Sequence, residues 1–161
     1  MYNFKIKTYL QITFFISLIS IFSAYFIEYI LGHQPCNLCL IERIPYGLSI
    51  ILITLNYLFK KNEKIIILLL IIIFFFSLIV SFYHFGIEQD FFEESTVCGL
   101  KSAAEIISKD EILKQLQEKT ISCKDVTFKV FGLSLTSINI FISFILTVLL
   151  TKTFISYEKN K

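Results

Sequence analysis

Ile65-Ile66-Ile67-Leu68-Leu69-Leu70-Ile71-Ile72-Ile73-Phe74-Phe75-Phe76-Ser77-Leu78-Ile79-Val80-Ser81-Phe82-Tyr83 decides the fold. It carries no charge along its whole length. A hydrocarbon core about 30 Å thick takes roughly 20 apolar residues per helical crossing, so the stretch fits one transmembrane helix. Its residues do not alternate between apolar and polar, which excludes the strand of a membrane barrel.

Three further stretches match or nearly match that length. Thr8 to Leu31 is interrupted only by Glu28, and Leu133 to Thr151 is uncharged. Ile44 to Phe59 is short and needs the preceding Cys36 to Arg43 segment to complete a span. The composition agrees: 161 residues, 55% hydrophobic, with a mean hydropathy of +0.72. Those values lie outside the range of a soluble domain. The expected architecture is an all-α membrane protein, a four-helix transmembrane bundle forming one domain over residues 1–161. Its helices are expected at about 8–31, 40–59, 65–83 and 133–154, with a long exoplasmic loop over about 84–132. Within that loop, Ile106, Ile107, Leu113 and Leu116 recur at helical spacing. Ala103 to Glu118 is therefore expected to be a short amphipathic helix, lying on the membrane or capping the bundle. The first apolar run is longer than a signal-peptide core and has no clear small-x-small cleavage site, so it is expected to be retained.

Charge orients the bundle. Lys5, Lys7, Lys60, Lys61, Lys64, Lys152, Lys159 and Lys161, set against Glu63 and Glu158, give one set of ends a net charge of +6. Seven basic and eleven acidic residues elsewhere give −4. Basic flanks stay cytoplasmic, so both termini are expected in the cytoplasm and all four cysteines on the far side. Topology thus accounts for the lysines without a nucleic-acid partner.

The cysteines carry the chemistry. Gln34-Pro35-Cys36-Asn37-Leu38-Cys39-Leu40-Ile41-Glu42-Arg43 places two thiols three apart at the start of a membrane segment. Pro35 keeps the approach extended, and a thiol at a helix start gains from the positive end of the helix. Thiolate is both the attacking form and the better leaving group, so such a pair is suited to exchange. Cys98 and Cys123 lie in the long loop. Outside the cytoplasm disulfides persist, and an even cysteine number makes pairing the default. A zinc site built from all four sulfurs is disfavoured, because Cys98 and Cys123 lack the short spacing of structural sites; no metal is expected. A structural disulfide at Cys36 and Cys39 would constrain little, whereas one closing the long loop would stabilise more.

Arg43 lies one turn deeper than Cys39. It is either an interfacial anchor paired to Glu42 or a lipid phosphate, or a cation stabilising negative charge on an oxygen-bearing cofactor. His84 and Glu88, in Tyr83-His84-Phe85-Gly86-Ile87-Glu88, are four apart and can share a helix face. They are either a solvated interfacial pair or, for His84, a donor or proton carrier beside the same cofactor.

These residues resemble the bacterial disulfide bond formation protein B family, the quinone-linked membrane thiol oxidases. The resemblance covers nearly the whole chain: Pro35-Cys36-x-x-Cys39 with Glu42-Arg43-Ile44-Pro45, then Tyr83-His84-x-Gly86-x-Glu88, Cys98, Cys123 and Phe131-Gly132-Leu133-Ser134, with Asn139 in the last helix. The chain departs from relatives in having no tryptophan. The resemblance implies a quinone-dependent thiol:disulfide oxidoreductase of the bacterial inner membrane. Cys98–Cys123 would be the redox disulfide that receives electrons from a periplasmic thioredoxin-fold dithiol oxidase, with Cys98 forming the mixed disulfide. Cys123 would attack Cys36, leaving Cys39 as the thiolate facing a ubiquinone or menaquinone held near Arg43, His84 and Glu88. The vitamin K epoxide reductase-like family, another quinone-linked four-helix bundle, places its loop cysteines before the membrane-edge pair, the reverse of the order here. A membrane scaffold with two structural disulfides is the rival from another class.

Overall fold

A computed structural model describes residues 2–59, 63–93, 123–124, 128–130 and 132–159. Four long helices dominate: α1 (Tyr2–Tyr29), α2 (Asn37–Phe59), α3 (Glu63–Glu88) and α4 (Leu135–Lys159). Each has a stretch of 23 to 26 residues long and apolar enough to cross a membrane. The protein is a four-helix membrane bundle, as the hydropathy requires. Its outer surface agrees: Phe15, Phe22, Phe59, Phe75, Phe82 and Phe141 are exposed, an apolar coat that suits lipid and not water.

The helix ends depart from the sequence expectation. α2 starts at Asn37, about one turn early, because Cys36 caps it. α3 runs to Glu88, past the first polar residues, so His84 and Glu88 belong to the helix and not to the loop. Leu133–Ser134 is not the start of the last helix. It pairs antiparallel with Lys129–Val130 as a two-stranded hairpin (β1, β2), turned at Gly132 with a φ of 83°. Ser134 Oγ then accepts the Ser137 N–H at 3.2 Å and caps α4. The expected amphipathic helix at Ala103–Glu118, and Cys98, lie outside the described residues.

The core is apolar and mainly aliphatic, with Ile53, Ile67, Leu70, Phe74, Leu146 and Leu150 fully buried. Between helices, small hydroxyl residues allow close approach and bond across: Ser49 to Ser17 at 2.7 Å, Ser77 with Ser143 at 3.0 Å. Lipid cannot satisfy such groups, so a bundle turns them inward. Each helix packs on the next in the chain, α3 on α4 most extensively, while α1 and α4 meet only slightly. That weak seam positions the site.

Candidate functional site

α1 ends with a turn through Gly32, whose φ of 73° is the left-handed conformation glycine adopts freely. The chain then runs through His33, Gln34 and Pro35 into Cys36. The sulfur of Cys36 accepts the Cys39 N–H at 3.3 Å, acting as the N-cap of α2, and Leu40 N–H bonds the Cys36 carbonyl at 3.2 Å. The two sulfurs lie 2.6 Å apart and are unbonded, so only a small side-chain adjustment separates them from a disulfide. Cys36 is buried, 6% exposed, and its sulfur is 3.6 Å from His84 Nε2. Its thiol pKa is lowered, first by the hydrogen bond from the Cys39 side chain and then by His84, against the opposing effect of burial.

His84 is held from its other side. Nδ1 lies 2.9 Å from Glu42 Oε1 and 3.3 Å from Thr136 Oγ1. An Nδ1–H donated to the Glu42 carboxylate leaves Nε2 to face the Cys36 sulfur, where it can take a thiol proton or hold a thiolate. Glu42 is itself anchored: its Oε2 accepts from Asn139 Nδ2 at 3.0 Å, and Asn139 also donates to Ser81 at 2.7 Å. The Tyr46 hydroxyl donates to Asn139 Oδ1. Thr136 donates to Glu88 Oε1 at 2.6 Å, and Glu88 Oε2 has no partner among the described residues.

Arg43 is not paired with Glu42, the side chain expected to partner it as an interfacial anchor. Its guanidinium forms an ion pair with Glu28 of α1 and lies over the Tyr25 ring, 5.2 Å from the centroid. Neighbours at i, i+1 on a helix point apart, so the two charges find partners on different helices. Glu42 turns into the bundle and Arg43 turns toward α1.

Most of these groups, though not Tyr25, Glu28 or Ser81, open on one cavity of about 370 Å³, within the range of small-molecule sites. Ile19 and Ile27 of α1 and Ile138 and Ile142 of α4 give it apolar walls along the weak seam. Cys36, Cys39, Arg43, His84, Glu88 and Cys123 make its polar end. The structure therefore brings together every described residue the sequence singled out. Cys123 is disulfide-bonded and buried, 3% exposed, in the same apolar cluster as Cys36, Leu38 and Ile87. Sequence reasoning assigned no role to Glu28, Tyr46 or Thr136, named Asn139 only within the resemblance, and read Glu42 only as a partner for Arg43 and a part of the motif. Their signal was present, since a polar side chain in an apolar span marks a bundle interior or a site.

The cavity thus has an apolar body, a charged and hydrogen-bonding end and two thiols at its edge. A family model, disulfide bond formation protein DsbB, matches residues 7–153. The chain belongs to that family. An uncharacterized protein of Rickettsia prowazekii (strain Madrid E) is 30% identical over 161 residues, covering 99% of this chain and 92% of the relative. No solved structure gives a significant match. Membership makes the chain a membrane thiol oxidoreductase of disulfide bond formation.

Proposed function

We propose that this DsbB family member reoxidises an exported thioredoxin-fold dithiol oxidase in the bacterial inner membrane and delivers the electrons to a membrane quinone. One observation carries the reading. Cys36, Cys39 and disulfide-bonded Cys123 share one cavity with Arg43 and His84, at a seam where two helices barely touch.

The partner's dithiol reduces Cys98–Cys123 through a mixed disulfide at Cys98, and the partner leaves oxidised. Cys123 thiolate attacks Cys36 Sγ, the Cys36–Cys39 bond breaks, and Cys39 departs as thiolate. Cys98 then attacks Cys123 and Cys36 departs. A lowered thiol pKa makes Cys36 the better leaving group in that step. A quinone supplies the acceptor for two electrons and two protons. Arg43 would hold its oxygens with a fixed positive charge, the unpartnered oxygen of Glu88 would accept from a hydroxyl of the reduced ring, and the His84–Glu42 pair would hold the proton of Cys36. The apolar walls from α1 and α4 exclude water from the thiols.

The test uses purified, fully reduced protein mixed with a short-chain ubiquinone or menaquinone. Thiols counted by alkylation mass shift are expected to fall by two for each quinone consumed, and Cys39→Ser to abolish consumption. Arg43→Ala is expected to raise the quinone KM about tenfold or more, the worth of a hydrogen bond to a charged group. Four thiols that stay reduced in excess quinone would favour the scaffold with two structural disulfides and sink the proposal.

A further inference from the structure

Cys36, Cys39 and His84 bring their donor atoms within 4.8 Å of one another. The edge from Cys36 Sγ to His84 Nε2 is 3.6 Å. A tetrahedral ion with sulfur bonds near 2.3 Å and nitrogen bonds near 2.0–2.1 Å needs that edge to be about 3.6 Å. The second element is behind the imidazole. Glu42 Oε1 holds His84 Nδ1 at 2.9 Å and is itself braced by Asn139, the carboxylate–histidine arrangement that fixes a ligating ring and raises its basicity. The third is access: all three donors line the cavity, which supplies an entry path and an open fourth position. The sulfurs, at 2.6 Å, need to part to about 3.8 Å to share an ion, a separation that rotation of two unbonded side chains on the first turn of a helix provides.

We propose that the dithiol form of this protein captures a thiophilic divalent cation of the zinc class on Cys36, Cys39 and His84. The two thiols bind as thiolates, releasing up to two protons to solvent, and no electrons move. The oxidised pair has no thiolate to offer, so capture is confined to the reduced state. While the ion is held, the sulfurs cannot rejoin, and metal competes with reoxidation by mass action. Such a site differs from a scaffold zinc on four cysteines, because Cys98 and Cys123 are not needed. Nor does it depend on quinone chemistry, since it needs only the reduced pair and the braced histidine.

The experiment uses the full chain in detergent carrying Cys98→Ser and Cys123→Ser, so that only the cavity thiols remain. The protein is reduced anaerobically, freed of reductant and titrated with Co²⁺, then with Zn²⁺. One cobalt per chain with a sulfur-to-cobalt charge-transfer band, lost on adding zinc, is the expected result. Protein oxidised beforehand is expected to show no band. His84→Ala is expected to lower zinc affinity at least tenfold. Glu42→Gln, which keeps the imidazole and serves if His84→Ala does not fold, is expected to lower it about 10- to 100-fold. Absence of the band in reduced protein, equal binding by oxidised protein, or unchanged affinity in both variants would overturn the assignment. Quinone-driven loss of thiols is measured on the same reduced sample without metal. Reoxidation without metal binding defeats this inference alone, and metal binding without reoxidation defeats the proposed function alone.

Discussion

The sulfur of Cys36 caps α2 by accepting the Cys39 N–H, lies against the Cys39 sulfur, and faces the His84 ring. Each contact favours thiolate over thiol, and together they outweigh burial, so the pKa falls below the ordinary thiol value. A depressed folded value adds stability to the reduced protein above the ordinary thiol pKa, near 8.5, and that stability is lost as pH falls toward the folded value. Reduced protein carrying Cys98→Ser and Cys123→Ser is therefore expected to keep thiolate ultraviolet absorbance well below pH 8 and to melt lower as acid removes it. Cys39→Ala deletes the largest contribution and is expected to move the absorbance midpoint back toward about 8.5. A midpoint already near that value in the protein with both cavity thiols would contradict the geometry. The thiols were legible in the sequence because their chemistry lies in local spacing. Glu42 was visible as part of the motif but its role was not, because that role comes from His84, 42 residues away, and Asn139, 97 residues away. Neighbours brought together by helix packing leave no mark on local spacing.

At the scale of the element, the helices were legible and their ends were not. Hydropathy locates a span, whereas an end is decided by capping, and charge alone put the end of the third helix before His84. The chain in fact closes α3 over Gly86, whose carbonyl accepts the N–H of Phe91 at 2.8 Å and of Phe92 at 3.2 Å, with Asp90 at a φ of 60°. Phe92 folds back to stack on Tyr83, centroids 5.7 Å apart, directly over Gly86. A Cβ at position 86 would strike the Phe92 ring. Gly86→Ala is therefore expected to destabilise the protein by about 1–3 kcal/mol, the usual cost of overpacking. The check is thermal melting of Gly86→Ala, Phe92→Ala and the double variant. Once the ring is gone the alanine has room, so the double variant is expected to melt no lower than Phe92→Ala alone. Additive losses would mean that glycine serves the backbone there and not the ring.

At the scale of the whole molecule, the two ends of the bundle are chemically unlike. One end gathers Cys36, Cys39, His84 and Cys123 around the cavity. The other joins the start of α3 to the end of α4 through Lys64 and Glu158 at 2.6 Å, with Lys64 also over the Phe154 ring at 5.5 Å. An exposed pair of that kind stabilises little, so its lysine matters more for orientation than for strength. Lysines cluster with Lys64 along the chain, at Lys60, Lys61, Lys152, Lys159 and Lys161, and flanks rich in lysine remain on the cytoplasmic side. By that rule the cavity end is expected to face the exported compartment, where disulfides persist. A reporter that fluoresces only in the cytoplasm, fused after Lys161, is expected to be bright. A phosphatase that is active only after export is expected to work when fused after Glu93 and to fail after Lys161. The reversed pattern would set the thiols in a reducing compartment, where disulfides do not persist, and would remove the basis for electron delivery from an exported partner.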